Sequence, residues 1–242
     1  MRSAILLVLA IAFPSAASAG PCAIQSLAPA PLVNAPVEPG GGVIVALTRM
    51  GFGSQSASSA VDKKWRFKDV NALVEPEVTD IAPGLAVYTL PPTGGPELAL
   101  LDGDGKEMAK VVRASTASAA LKAPELRSMV YEAQTMTMGR RGSQTYVTGI
   151  ADVAAVPVSA AVLIVYEVTK TGNVARSWAS LVGFDRTNTK VNAYQSGSRC
   201  MPTMTGIEPI ASGAKVVVAW LDSSGRLSPV SKPVTARATT RK

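Results

Sequence analysis

Lys64-Trp65-Arg66-Phe67-Lys68 is the stretch that decides the fold class. Two aromatic residues alternate with three cations, and successive side chains of a β-strand point to opposite faces. One face is therefore aromatic and the other charged, the pattern of a half-buried strand. The same rhythm extends outward in both directions. Upstream, Gly42-Val-Ile-Val-Ala-Leu-Thr48 follows the turn Pro39-Gly-Gly41. Downstream, Leu85-Ala-Val-Tyr-Thr-Leu90 follows Pro83-Gly84, and the runs 97–101 and 106–113 flank Asp102-Gly-Asp-Gly105 as a hairpin. Residues 51–61, including Phe52, read as a mobile loop. Strands are expected again at 126–138, 144–150, 159–168, 174–184, 203–209, 214–222 and 227–234. Turns separate them at Gly139–Gly142, Thr171–Asn173 and Ser223–Gly225. Ala160-Ala-Val-Leu-Ile-Val-Tyr166 is nearly all apolar, as in a central strand covered on both faces. No stretch offers a capped helical stripe. Short strands at such spacing imply a sandwich or a barrel.

A composition shift divides the chain. Residues 114–124, Ala-Ser-Thr-Ala-Ser-Ala-Ala-Leu-Lys-Ala-Pro, are small and without periodicity, and they read as a linker. The expected organisation is one β-sandwich over 20–113, the linker, a second sandwich over 125–235, and a flexible basic tail at 236–242. Gly213-Ala-Lys-Val-Val-Val-Ala-Trp-Leu-Asp-Ser-Ser-Gly-Arg-Leu-Ser228 resembles the last hairpin of a fibronectin type III or immunoglobulin-like module. There an alternating strand carries an aromatic residue, passes an Asp–Gly turn and returns through Ser and Pro. The resemblance covers this hairpin alone and lacks the internal cysteine pair of antibody domains. It implies an all-β fold of two Ig-like antiparallel sandwiches, and no particular function.

The chain begins with an export pattern. Arg2 precedes the apolar run Ala4–Phe13 and the small-residue end Ala17-Ser18-Ala19, the arrangement of a secretory signal peptide. The run is shorter than the ~20 residues a membrane span needs. Residues 1–19 are expected to be removed, so that the mature protein starts at Gly20 in the periplasm or outside the cell. Cys22 and Cys200 are the two cysteines. In an oxidising compartment such a pair closes into a disulfide, and this one would staple the start of the chain to its second half.

Composition narrows the chemistry. The chain is 47% hydrophobic and 17% charged, enough apolar material for a core. Its formal charge is +7, but no block of like charges or basic–aromatic stripe supports nucleic-acid binding. Partners are expected among proteins or envelope polymers. Histidine is absent, which removes the usual general base, zinc ligand and physiological-pH switch. Ser212-Gly-Ala-Lys215 has the spacing of a Ser–Lys dyad, but it falls at a turn-to-strand junction, where a helix start is required. Asp102 and Asp104 open like a calcium loop, but the twelfth position from Asp102 is Arg113, where that loop needs Glu.

Methionine offers a second reading. Met136 and Met138 share a strand face, and Met201 and Met204 lie beside Cys200. Thioethers suit Cu(I), so a periplasmic Met-based Cu(I)-binding protein is the alternative; otherwise Met fills gaps in an aromatic-poor core. The primary expectation is a non-enzymatic interaction or structural module without a cofactor. Its binding loops would lie at Phe52 and at Arg140 and Arg141.

Overall fold

A computed structural model of the chain describes residues 28–32, 36–49, 52–53, 64–70, 72–82, 84–137, 143–182, 186–196 and 212–241. Among the described residues there are seventeen strands and no helix. The first half carries β1 (Ala28–Leu32), β2 (Gly42–Arg49), β3 (Phe52–Gly53), β4 (Arg66–Asp69), β5 (Ala72–Val74), β6 (Val78–Ala82), β7 (Leu85–Thr89), β8 (Glu97–Leu101) and β9 (Glu107–Val112). The second carries β10 (Leu126–Thr137), β11 (Ser143–Val153), β12 (Ala160–Val168), β13 (Val174–Leu181), β14 (Lys190–Ser196), β15 (Lys215–Asp222), β16 (Val234–Thr235) and β17 (Arg237–Arg241).

These strands form four sheets, ordered β1-β2-β7-β6 (with β3 added to β2), β5-β4-β8-β9, β14-β11-β10-β17 and β13-β12-β15-β16. The first two make one sandwich and the last two another. In the first, Trp65 and Phe67 of the opening stretch point inward against Val43, Val45, Tyr88, Leu98 and Leu100, while Arg66 and Lys68 are exposed. The second core holds Met129, Leu163, Val165, Trp178, Val218 and Trp220.

A third core lies between the sandwiches. The alternate residues of β2 and β7, namely Ile44, Ala46, Leu85 and Val87, pack with Val162 and Ile164 of β12 and Leu221 of β15. Thus β2, β7, β12 and β15 bury both faces, and the protein is a four-layer stack with three apolar seams. This explains why Ala160–Val165 carries no polar residue. One of its faces fills the second sandwich and the other meets the first.

Three hairpins share one turn chemistry. Asp102, Thr169 and Asp222 each begin a five-residue turn whose fourth residue is a left-handed glycine: Gly105 at φ +82°, Gly172 at +85° and Gly225 at +72°. The glycine N–H donates to the first residue's carbonyl in all three, at 3.1, 3.0 and 3.0 Å. The first side chain accepts backbone N–H groups of the same turn; Asp102 Oδ1 takes those of Asp104 and Lys106 at 3.0 and 2.9 Å. Gly225 is the most constrained of the three. A Cβ there would stand 2.7 Å from Val87 Cγ1 and 3.0 Å from the Gly42 carbonyl oxygen. Gly225→Ala is expected to lose about 2–3 kcal/mol, left-handed strain plus a displaced contact; urea denaturation measures it.

The structure departs from the sequence reading at several edges. β1 is a strand despite Pro29 and Pro31, because it lies at a sheet edge where prolines are tolerated. Phe52–Gly53, read as loop, adds to β2. The segment 236–242, expected as a flexible tail, is corrected: Arg237–Arg241 forms β17, whose backbone finds partners in parallel pairing with β10. Residues 114–124 contain neither strand nor helix.

The arm 227–233 is expected as a strand and is not one. Its contacts with β15 advance three residues for every two: Ser228 meets Trp220, Ser231 meets Val218 and Val234 pairs with Val216. Each serine N–H donates to the facing carbonyl at 2.8 Å. Its hydroxyl then accepts the facing N–H, at 2.9 Å from Trp220 and 3.0 Å from Val218. The hydroxyl replaces the carbonyl that a regular strand would present. Pro229 and Pro233 leave that segment fewer donors, which blunts the edge against adding another strand.

Candidate functional site

The densest polar cluster among the described residues sits where the sandwiches meet. The turn Asp222–Arg226 projects from the end of β15 toward the loop before β2. Ser224 ties the two backbones: its hydroxyl accepts Glu38 N–H at 3.1 Å and its carbonyl accepts Gly42 N–H at 2.7 Å. No side chain larger than hydrogen fits at Gly41 or Gly42 without backbone movement. A Cβ would stand 2.5 Å from the Ser224 carbonyl oxygen or 2.4 Å from that of Tyr88.

Arg226 is the centre of the cluster. Its Nε donates to Asp222 Oδ2 at 2.8 Å, and its two terminal nitrogens reach Asp222 at 2.8 Å and Glu38 at 2.9 Å. They also reach the Ser118 hydroxyl at 3.1 Å and carbonyl at 3.4 Å. Ser118, from the connecting segment, donates its hydroxyl to Glu38 Oε1 at 2.7 Å and its N–H to Oε2. The guanidinium has five N–H groups and here five acceptor contacts. One cation therefore joins the first sandwich, the connector and the second sandwich. Asp222 is only 2% exposed, and Oδ1 also accepts the N–H of Ser224 and Arg226 at 2.9 and 2.8 Å.

This arrangement suits holding rather than reacting, since each carboxylate is engaged by Arg226 and by backbone or hydroxyl donors. The Ser118 hydroxyl, opposed in part by burial and helped by the Ser118 N–H and Arg226, holds the Glu38 carboxyl below its ordinary value of 4.5. A carboxyl lowered by folding stabilises the native state above its unfolded pKa, and that stability is lost as pH falls through the folded value. The melting temperature of the wild type is therefore expected to exceed that of Glu38→Gln at neutral pH. The gap should close as pH falls below about 4.3. A gap that stays constant from neutral to acid pH contradicts the assignment.

Cys22, Cys200, Arg140, Arg141, Met138, Met201 and Met204 lie outside the described residues. Phe52 is in β3, paired with Arg49, and Met136 is in β10, paired with Gln144. Met129 is fully buried in the second core. Lys215 opens β15 with its side chain exposed, and Ser212 lies in the turn before it. Asp102 and Asp104 form a hairpin turn. No group of three or more metal-ligating Asp or Glu is found among the described residues, and no described helix is long and apolar enough to cross a membrane.

Sequence reasoning missed Glu38, Ser118 and Arg226. One signal was available: the turn Asp222-Ser-Ser-Gly-Arg226 repeats the Asp-x-x-Gly-cation form of Asp102–Lys106, yet Asp222 directly follows the apolar run Val216–Leu221. No family model matches the chain, and no curated protein matches it. Among solved structures it is similar to one described as "Biofilm associated protein - BSP domain". The identity is 14%, over 88% of this chain and 30% of that chain, at a TM-score of 0.25. The chain thus spans less than a third of that structure's length.

Proposed function

We propose that the protein is an exported, non-catalytic structural module of the cell envelope or extracellular space. In this reading two immunoglobulin-like or fibronectin type III-like sandwiches form one rigid spacer. The observation that carries it is the apolar seam between the sandwiches, closed by Arg226 between Glu38 and Asp222. Domains that move relative to one another meet through smaller, more polar surfaces; here seven buried hydrophobic residues from both halves meet.

Strand order supports the Ig-like part. The sequence β1-β2-β7-β6 facing β5-β4-β8-β9 corresponds to the immunoglobulin order ABED facing C′CFG. In the second sandwich β14-β11-β10 faces β13-β12-β15-β16 in the related order EBA and C′CFG. Export rests on Arg2, the run Ala4–Phe13 and Ala17-Ser-Ala19. The structural role in turn suits a partner such as an envelope protein or polymer.

Expression of the full chain in a bacterial host tests the reading. Cell fractionation should find it in the periplasm or the medium. Mass spectrometry without reductant should find it starting at Gly20 with two hydrogens missing, as a Cys22–Cys200 disulfide requires. Cytoplasmic protein retaining residues 1–19 would refute export. Turnover in a broad hydrolase screen would refute the non-catalytic role.

A further inference from the structure

The arm between β15 and β16 presents its side chains with a three-residue period. Ser228, Ser231 and Val234 face β15, and both serines are 5% exposed. The residues between them, Pro229, Val230, Lys232 and Pro233, are all exposed. Val230 shows 51% of its surface, and Leu227, just before the first serine, shows 46%. Three residues per turn is the period of a polyproline II helix, whereas a strand repeats every two. Proline fixes its own φ near −65° and drives the residue before it to extended or polyproline conformations. Ser228-Pro229 and Lys232-Pro233 therefore set four residues of the arm.

Hydrogen bonds hold this shape. Each serine hydroxyl that accepts an N–H of β15 also donates to the next carbonyl, Ser228 to Pro229 and Ser231 to Lys232, both at 2.9 Å. Three residues of polyproline II extend ~9 Å and two of a strand ~7 Å. The arm therefore bows outward between its two serine anchors and carries Pro229 and Val230 off the sheet. Leu227, Val230 and Pro233, three apart, share one side of the ridge, and Pro229 and Lys232 share the other. A ridge fixed in advance loses little conformational entropy on being bound.

What fits this ridge follows from what it lacks and what it carries. A partner strand gains little here, because two positions have no N–H and the three-residue period breaks the ladder. The neighbouring layer is no better on this flank: its edge is β1, with Pro29 and Pro31, since β6 at the opposite edge meets β13. Recognition must then run through side chains. Preformed proline-containing ridges dock into grooves lined by aromatic rings. Lys232, and Lys215 paired with Thr235, add positive charge, and neither is in an ion pair with a described carboxylate. We propose that the arm Leu227–Pro233 is a docking ridge for a partner protein whose groove is lined by aromatic rings and edged by carboxylates. This rests on the reading of the protein as a non-catalytic module and names the class of partner it holds.

Heteronuclear NMR of the full chain, titrated with indole-3-acetate, tests this, because that probe joins an aromatic ring system to a carboxylate. Saturable shifts are expected at the amides of Leu227, Val230 and Lys232. Cyclohexylacetate keeps the charge without the aromatic face and should bind several-fold more weakly. Val230→Ser and Lys232→Gln, both at exposed positions, should each weaken indole-3-acetate binding several-fold at an unchanged melting temperature. Equal affinity for the two acids, or variants that bind like the wild type, would overturn the proposal. So would shifts as large at Val70 and Val158, which are more exposed than Val230. A stronger response of the arm to an N-acetylglucosamine trimer would assign it to an envelope polymer and overturn the proposal as well. None of these outcomes depends on export or on the hydrolase screen, so this proposal and the reading beneath it fail separately.

Discussion

An Ile164→Asp substitution is expected to divide the thermal unfolding of this protein into two transitions. Ile164 is fully buried and lies in the seam between the sandwiches with Ile44, Leu85, Val87 and Leu221. A carboxylate there meets neither water nor a cation, a change on the order of 4 kcal/mol or more. The least costly escape is for the sandwiches to part, because residue 164 faces neither of their own cores. Those cores, around Trp65 in one and Trp220 in the other, stay intact. Scanning calorimetry should show one transition for the wild type and two for the variant. Ile164→Ala, which opens a cavity without a charge, should cost about 2–5 kcal/mol and keep a single transition. One lowered transition for Ile164→Asp would mean that neither sandwich stands without the other.

The double variant Ser228→Ala/Ser231→Ala is expected to be the most destabilising change that removes only two oxygen atoms. Both serines are 5% exposed. Their hydroxyls are the acceptors for the N–H groups of Trp220 and Val218, in a strand buried on both faces. Each N–H left without an acceptor costs about 1–3 kcal/mol. The two sites share one arm, so their effects need not add. Urea denaturation should show the loss as a lower midpoint with an unchanged slope. Amide exchange should accelerate at Trp220 and Val218 before it does elsewhere in β15. Retained protection at those two amides would show that another acceptor serves them.

That arm also shows where sequence reading succeeds and where it stops. The strand rhythm and the turn Ser223–Gly225 predict that residues 227–234 return as a strand beside 214–222. Pro229 and Pro233 instead impose a three-residue advance against the two-residue repeat of β15, and a serine hydroxyl makes good the missing acceptor. The hydroxyl's role depends on which N–H it faces, and that is a property of the register. β14 escaped for a related reason. Among the described side chains of Lys190–Ser196, Val191 packs in the second core, and the stretch Lys-Val-Asn-Ala-Tyr-Gln-Ser offers a signal too weak to read without its neighbour β11.

The candidate site was the least legible part. Asp222 and Arg226 are four residues apart, and their turn could be read locally. Glu38 and Ser118 lie far away in sequence, and no periodicity relates them to Arg226. Only packing of β2 and β7 against β12 and β15 brings the three segments to one point.

The sequence by itself determined which residues of a strand share a face, because alternation is a property of each residue's own backbone. Trp65 and Phe67 against Lys64, Arg66 and Lys68 needed nothing else, and neither did the doubly apolar run Ala160–Tyr166. Tertiary structure decided what covers the second face of such a run. Burying that face requires a partner surface from distant parts of the chain, and here it is the outer face of the first sandwich. The four-layer stack, the Arg226 clasp and the parallel pairing of β10 with β17 all follow from that meeting of remote segments.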